Sequence, residues 1–147
     1  MAISKINRFS SLAKIQYQQY QQALESEQQV RQLVDTIDSS VAQVRQYQKD
    51  YQQDLITLQQ GASSTEKLVR IRKFLQQLMQ MEVDQLRQRQ ALDQKLQQAH
   101  ANTLIKLQKS RMSDKLTEKA RVEQLAANKA IDAKQMDAIA TQMYTRR

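Results

Sequence analysis

Apolar residues recur at alternating three- and four-residue steps through the first part of the chain. Written in heptads, the a positions hold Ile6, Ala13, Tyr20, Glu27, Val34, Val41, Gln48 and Leu55. The d positions hold Phe9, Gln16, Ala23, Val30, Ile37, Val44, Tyr51 and Leu58. Thirteen of these sixteen are apolar or aromatic. A period of about 3.5 residues kept for this long predicts a helix supercoiled left-handedly against another helix.

The register stops once, in Leu58-Gln59-Gln60-Gly61-Ala62-Ser63-Ser64-Thr65-Glu66, which holds the single glycine of the chain. Gly61 is expected to take the left-handed conformation that closes a helix C-terminus. Ser63 with Glu66 fits a capping box at the start of the next helix. A turn this short makes the two helices antiparallel neighbours.

The second helix restarts the pattern with Leu68, Ile71, Leu75 and Leu78. From about Glu82 the seam is expected to turn polar and drift. Leu86, Leu92, Leu96, Ala99, Leu104, Leu107, Leu116, Leu125, Met136, Ile139 and Met143 do not share one register. Stutters, local unwinding or partial solvation would each account for that. The expected architecture is all-α: a long antiparallel two-helix coiled-coil hairpin forming a single domain over 1–147, with helix 1 at about 4–59, a turn at 60–64 and helix 2 at about 65–143. With the turn centred at 61–62, residue i faces roughly residue 123 − i. Residues beyond about 120 then project without an intramolecular partner, over ~35–40 Å at ~1.5 Å per residue. An unpaired amphipathic helix is marginally stable, so this segment is expected to bind something.

Composition agrees with the pattern. The 147 residues include 28 Gln, one Gly, no Pro, no Cys and no Trp. Sheet proteins draw heavily on Gly and Pro for turns, whereas Gln, Leu, Ala, Lys, Arg and Glu are good helix formers. With 40% hydrophobic and 5% aromatic residues, a thin seam between helices is expected in place of a thick core. The lack of cysteine excludes disulfides, a thiolate nucleophile and a Cys-based zinc site. No apolar run approaches the ~18 residues of a membrane span.

No catalytic constellation is visible, and no cofactor or metal site is expected. The single histidine, His100, lies in a polar stretch and reads as a solvated helix residue. A metal site or a nucleophile pair would need partners that are missing.

The net charge of +8 is uneven: residues 1–60 hold six basic and six acidic side chains, so the excess lies on the second helix. Such a stripe suits an acidic protein groove, an anionic membrane surface or nucleic acid. Nucleic acid would call for a longer basic stretch with interleaved aromatics or a groove-reading module, and neither is present. Lys67, Arg70, Arg72 and Lys73 crowd four cations at a helix N-terminus, against the helix dipole. They read as a solvated face or as contact with an acidic partner. Residues 1–24 carry Lys5, Arg8 and Lys14 and no acid, a pattern shared with transit peptides and membrane-surface helices. The unbroken register beyond Glu25 favours a plain helix start.

Of the seven aromatic residues, Tyr47, Tyr51 and Phe74 come together under the hairpin pairing, because 47 faces about 76 and 51 faces about 72. Tyr51 is on the seam at d, while Tyr47 and Phe74 occupy flanking g positions. Leu78 and Met81 follow one and two turns along. Tyr combines large contact area with a polar tip and is enriched at interfaces. This cluster is either a docking patch or flank packing.

The stretch Tyr47-Gln48-x-x-Tyr51-x-x-x-Leu55, the stretch Phe74-x-x-x-Leu78 after the turn, and Leu125-Ala126-Ala127-Asn128-Lys129 … Asp132-x-Lys134-Gln135-Met136-Asp137, in this order, resemble the FliJ family. These are small coiled-coil proteins of the bacterial flagellar export apparatus. The resemblance spans essentially the whole chain. It implies a non-enzymatic hairpin similar to the central stalk of the rotary ATP synthase. It also implies binding to the hexameric export ATPase with promotion of its assembly and hydrolysis, contact with the cytosolic domain of the export gate, escort of export chaperones, and a cytoplasmic location at the inner membrane below the flagellum. By position, Tyr47, Tyr51, Phe74, Leu78 and Met81 resemble the gate-contacting surface, although the family often has a smaller residue where Met81 stands. The projecting helix, with Lys115, Lys119, Arg121, Leu125 and Met136, is then the site implied for the ATPase or chaperones. Two other readings stay open: an injectisome stalk of the same plan, and a structural coiled-coil adaptor or holdase chaperone.

Overall fold

In a computed structural model, which describes residues 2–61 and 64–146, the chain forms two long helices packed against each other. α1 spans Ala2–Gln59 and α2 spans Thr65–Thr145. There is no strand among the described residues. Every a and d position of α1 assigned above, from Ile6 to Leu58, is buried or half-buried. Apart from these sixteen, only Ser10, Leu24 and Ser40 among the described residues of α1 are not exposed.

The closure of α1 differs from the expectation. Gly61 does not take a left-handed conformation, and no described residue has positive φ. The last turn tightens instead. The Gln60 amide donates to the Ile56 carbonyl at 3.2 Å, and the Gly61 amide reaches back only three residues, to the Leu58 carbonyl at 3.4 Å. Such three-residue bonds satisfy carbonyls that a helix end leaves open. Ser63, to which a capping box was assigned, lies outside the described residues. The observed cap is Ser64, whose Oγ accepts from the Lys67 amide at 3.4 Å. Glu66 is the acid of the first turn, where the helix dipole favours it.

α2 corrects the expectation of drift. Its less exposed positions include Leu68, Ile71, Leu75, Leu78, Glu82, Gln85, Arg89, Leu92, Leu96, Ala99, Thr103, Lys106, Ser110, Ser113, Thr117, Ala120 and Gln124, an unbroken alternation of steps of three and four, with Leu107 half-buried beside Lys106 as the one addition among the described residues. Leu86, Leu104 and Leu116 are exposed flank residues. The register is kept by polar residues at seam positions, and the off-seam leucines imitate a shift.

The packing falls into two compact units, each described by itself. In the unit of Leu24–Ala101 the core is Val34, Val41 and Val44 of α1 with Leu75 and Leu78 of α2. Polar seam residues here bond across to α1. Glu82 accepts from Arg45 Nε at 2.7 Å and Gln48 Nε2 at 2.8 Å, and Gln85 Nε2 donates to Ser40 Oγ at 2.7 Å.

In the unit of Met1–Ala23 with Asn102–Arg147 the buried seam of α2 is small and hydroxylated: Thr103, Ser110, Ser113, Thr117 and Ala120. Thr103 Oγ1 donates across to the Ala23 carbonyl at 3.2 Å. Ser113 and Thr117 donate to carbonyls one turn back in their own helix, Lys109 at 3.0 Å and Ser113 at 2.9 Å. A hydroxyl satisfied in this way is buried without the desolvation cost of an unpaired one. Most of the larger seam residues of this unit, Ile6, Phe9, Gln16 and Tyr20, come from α1, with Lys106 and Gln124 from α2.

The pairing is offset from the expected one. Ala23 meets Thr103 where residue 100 was expected, and Gln48 reaches the Leu78 carbonyl where residue 75 was expected. The shift is three residues in each case. The projecting segment is as expected in kind: Gln124 is the last residue that is not exposed, and 125–146 are exposed throughout.

The corrected register makes Leu78, 6% exposed, a core residue and Leu86, 41% exposed, a flank residue. Leu78→Ala is expected to cost about 2–4 kcal/mol in chemical denaturation, and Leu86→Ala under about 0.5 kcal/mol. Equal costs would restore the drifting seam.

Candidate interaction surfaces

In the unit of Leu24–Ala101, the rings of Tyr51 and Phe74 meet edge to face with centroids 4.8 Å apart and planes at 63°. This is the preferred geometry of an aromatic pair. Tyr51 is half-buried on the seam and anchors Phe74, which stays 40% exposed. Met81, one heptad beyond Phe74, and Tyr47 on α1 are exposed on the same flank. The Tyr47 hydroxyl accepts from Gln43 Nε2 at 3.0 Å, which sets the orientation of the ring. Leu78 is buried in the seam, so it supports the flank from beneath and offers little surface of its own.

The same flank carries a feature that the sequence reading passed over. Leu33, two heptads before Tyr47, lines a groove of about 380 Å³ with Thr36, Ile37, Gln88, Ala91, Leu92 and Lys95. The available signal was the shared g position of Leu33 and Tyr47.

Polar groups of this unit are tied together at several seam levels. Arg45 and then Gln48, through their hydrogen bonds, hold the Glu82 carboxyl below the ordinary glutamate range. Arg89 donates from Nε to Asp38 at 2.7 Å and also pairs with Asp93. These two carboxylates, Asp38 first, raise its pKa further. The Glu27 side chain is buried, with Arg31 NH2 at 3.0 Å and His100 Nδ1 at 2.7 Å from Oε1. His100 is therefore more than a solvated helix residue, since it serves a buried carboxylate from the edge of the seam. Lys67, Arg70, Arg72 and Lys73 are all exposed.

In the unit of Met1–Ala23 with Asn102–Arg147, Lys115, Lys119, Arg121, Leu125 and Met136 are all exposed. Lys115, Lys119, Leu125 and Met136, at f, c, b and f, form one arc of α2 directed away from the seam, and Arg121 at e stands at its edge beside the seam. Arg121 also borders a groove of about 420 Å³ that contains Asp114 and Glu118 beside Lys14, Tyr17 and Thr117. That groove is mixed in charge.

Charge separates cleanly between the two units. Leu24–Ala101 holds ten basic and ten acidic residues, whereas the other unit holds thirteen basic and five acidic, which is the whole +8. Assigning the excess to the second helix was correct but coarse, because the part of α2 up to Ala101 is balanced by acids of α1. Among the described residues no cluster of three or more His, Asp or Glu is placed to hold a metal ion, and no helix is long and apolar enough to cross a membrane.

A family model described as Flagellar FliJ protein matches residues 4–147. No curated protein and no solved structure gives a significant match.

The lowered pKa of Glu82 has a defined sign. Its contribution to stability is full above the ordinary glutamate pKa and is lost as pH falls through the lower folded-state value. Thermal unfolding of the wild type and Glu82→Gln, followed by circular dichroism from about pH 7 to about pH 2.5, is expected to show the wild type ahead at neutral pH. The gap should narrow on acidification. A gap independent of pH would assign Glu82 a purely steric role.

Proposed function

Because the chain belongs to the family of flagellar FliJ proteins, it is associated with flagellar protein export, and we propose that it works there as a stalk-like coiled coil with two separate docking regions. The observation that carries this reading is the family match over 4–147. The flagellar description of that family favours this system over an injectisome.

The first region is the flank of Tyr47, Phe74 and Met81, with Tyr51 and Leu78 beneath it, and its proposed partner is the cytosolic domain of the export gate. Its support is a set of large, partly exposed side chains on a rigid base, the usual form of an interface hot spot. The second region is the outward arc of Lys115, Lys119, Arg121, Leu125 and Met136, and its proposed partners are the hexameric export ATPase and the export chaperones. Its support is the charge separation, which places the whole basic excess in that unit and suits acidic partner surfaces.

The proposed role is non-catalytic: a single coiled-coil domain promotes assembly and hydrolysis of the ATPase ring at the cytoplasmic face of the inner membrane. One asymmetric helix pair in a six-fold ring meets six similar surfaces. Screened, long-range contacts from charges and glutamines let it engage each without locking to one, which a deeply complementary apolar patch would not allow.

ATP hydrolysis by the cognate export ATPase, titrated with the full chain, is expected to rise and saturate near about one chain per six ATPase subunits. Reversing the charge of Lys115, Lys119 and Arg121 together should reduce the stimulation at least about tenfold without changing helicity. Phe74→Ala should leave it intact while weakening gate binding by about tenfold or more. An active, assembled ATPase that does not respond to the wild type would favour a passive adaptor.

A further inference from the structure

The projecting part of α2 carries a second heptad stripe, on a different face from the seam. Continuing the seam past Ala120 leads to Gln124, Ala127, Ile131, Lys134, Ala138 and Thr141, a largely small and polar series. Most of the large apolar residues of this segment lie instead at Val122, Leu125, Met136, Ile139 and Met143, between 55% and 71% exposed, while Ile131 stays on the seam series and Tyr144 stands apart from both. Lys129 and Asp132 complete the same series of alternating steps of three and four. In the numbering of the seam these are the b and f positions, on the far side of the helix from α1. Ala126, Ala133 and Ala140 run beside the stripe one heptad apart, and small residues at that spacing let a second helix approach closely.

The order of residues in this stripe is self-complementary. When two copies are laid antiparallel with Lys129 of one against Asp132 of the other, Leu125 falls against Met136 and Val122 against Ile139. Two-fold symmetry repeats each pair. The result is two central ion pairs of opposite sign flanked by apolar layers on both sides. A parallel alignment in register would place Lys129 against Lys129 and Asp132 against Asp132, which like-charge repulsion disfavours. Charged pairs at core positions of a coiled coil fix register and orientation at some cost in stability. In this alignment Val122 to Ile139 of one copy lies against Ile139 to Val122 of the other, about two and a half heptads or 26 Å, and Met143 falls beyond it, opposite Glu118. The contact is isologous, as a two-fold interface requires. α1 lies on the opposite side of α2 and does not obstruct it.

We propose that this stripe is a homodimerisation surface, through which α2 of one copy pairs antiparallel with α2 of a second copy over residues 122–139. The inference goes beyond the proposed export role. It also bears on that role, because Leu125 and Met136 belong to the arc assigned to the ATPase and chaperones. A chain paired in this way has Leu125 and Met136 of that arc covered, so self-association competes with partner docking at those two residues.

Sedimentation of the full-length chain over a concentration series tests the proposal, with helicity of each variant checked by circular dichroism. A monomer–dimer equilibrium is expected. Asp132→Lys, which leaves only lysines at the centre, should raise the dimer dissociation constant at least about tenfold. Adding Lys129→Asp to it restores opposite signs and should return the constant to within about threefold of the wild type. The chain has no cysteine, so orientation is tested directly. Leu125→Cys mixed with Met136→Cys should form a disulfide-linked heterodimer, and neither variant alone should cross-link. A wild type that stays monomeric at about 0.2 mM, a dimer indifferent to Asp132→Lys, or cross-linking of Leu125→Cys with itself would each overturn the proposal. None of these outcomes depends on the ATPase, so failure here leaves the export reading standing.

Discussion

The seam between α1 and α2 holds its spacing as far as Gln124 while much of α2 supplies polar side chains to it, and hydrogen bonding makes this possible. Burying a hydroxyl or an amide without a partner costs more than a single layer of apolar contact returns. Each unit meets that constraint differently. In Leu24–Ala101 the long side chains Glu82, Gln85 and Arg89 bond across to Arg45, Gln48, Ser40 and Asp38. In the other unit the short hydroxyls of Ser113 and Thr117 turn back on their own helix. Cross-bonds tie the partner's position to one register, whereas back-bonded hydroxyls act as small space-fillers beside Phe9, Gln16 and Tyr20.

This difference explains which parts of the structure the sequence made legible. α1 could be read in full because its seam is written in apolar letters, and even its exceptions, Gln16, Glu27 and Gln48, stand in register. α2 could not be read beyond Leu78, because hydrophobicity no longer marks the seam there. Leu86, Leu104 and Leu116 suggested slippage, yet they are flank residues, and Thr103, Ser110 and Thr117 are the ones buried. A pattern search weighted for apolar residues is blind to a seam held largely by hydrogen bonds, even one in which Gln16 Oε1 and Gln85 Oε1 are buried without a partner. The aromatic cluster was legible because antiparallel pairing alone brings Tyr51 near Phe74, and an error of three residues in the pairing is less than one helical turn. The burial of Leu78 followed from the same seam arithmetic. The groove at Leu33 did not, since most of its lining (Leu33, Thr36, Gln88, Ala91 and Lys95) stands outside the seam.

The turn shows a further limit of local rules. Gly61 looked like a left-handed helix terminator, but α1 closes with a tightened turn that any residue could adopt. A Cβ there would meet only the Thr57 carbonyl, at an ordinary 3.9 Å. At the helix start the observed cap is Ser64, next to the serine on which the capping box is expected. Two adjacent serines offer the same capping chemistry, and the sequence alone does not rank them. Neither difference alters the antiparallel arrangement, because chain reversal needs a short break in both helices and not a particular turn type.

A helix that carries two heptad stripes on different faces has a consequence for how its surfaces are used. While α1 is alongside, the a and d positions of α2 are occupied and its b and f positions face water. The f positions are accordingly polar at Lys73, Gln80, Arg87, Gln94, Gln108 and Lys115, while the b positions mix Val69, Val83 and Leu104 with polar residues. Past the point where α1 ends, the a and d series fades to small and polar residues and the b and f series becomes apolar. A simple fraying tail would lose hydrophobic pattern on every face, and an extension of the hairpin would keep it on the original one. The change of face is the arrangement expected of a helix that meets one neighbour along most of its length and another at its end. The +8 concentrated in the same unit then sets the terms on which that second neighbour is approached. A second copy brings the same excess charge and associates more readily as salt screens it, whereas an acidic partner is drawn in most strongly when salt is low. Ionic strength therefore acts in opposite directions on the two uses of one surface.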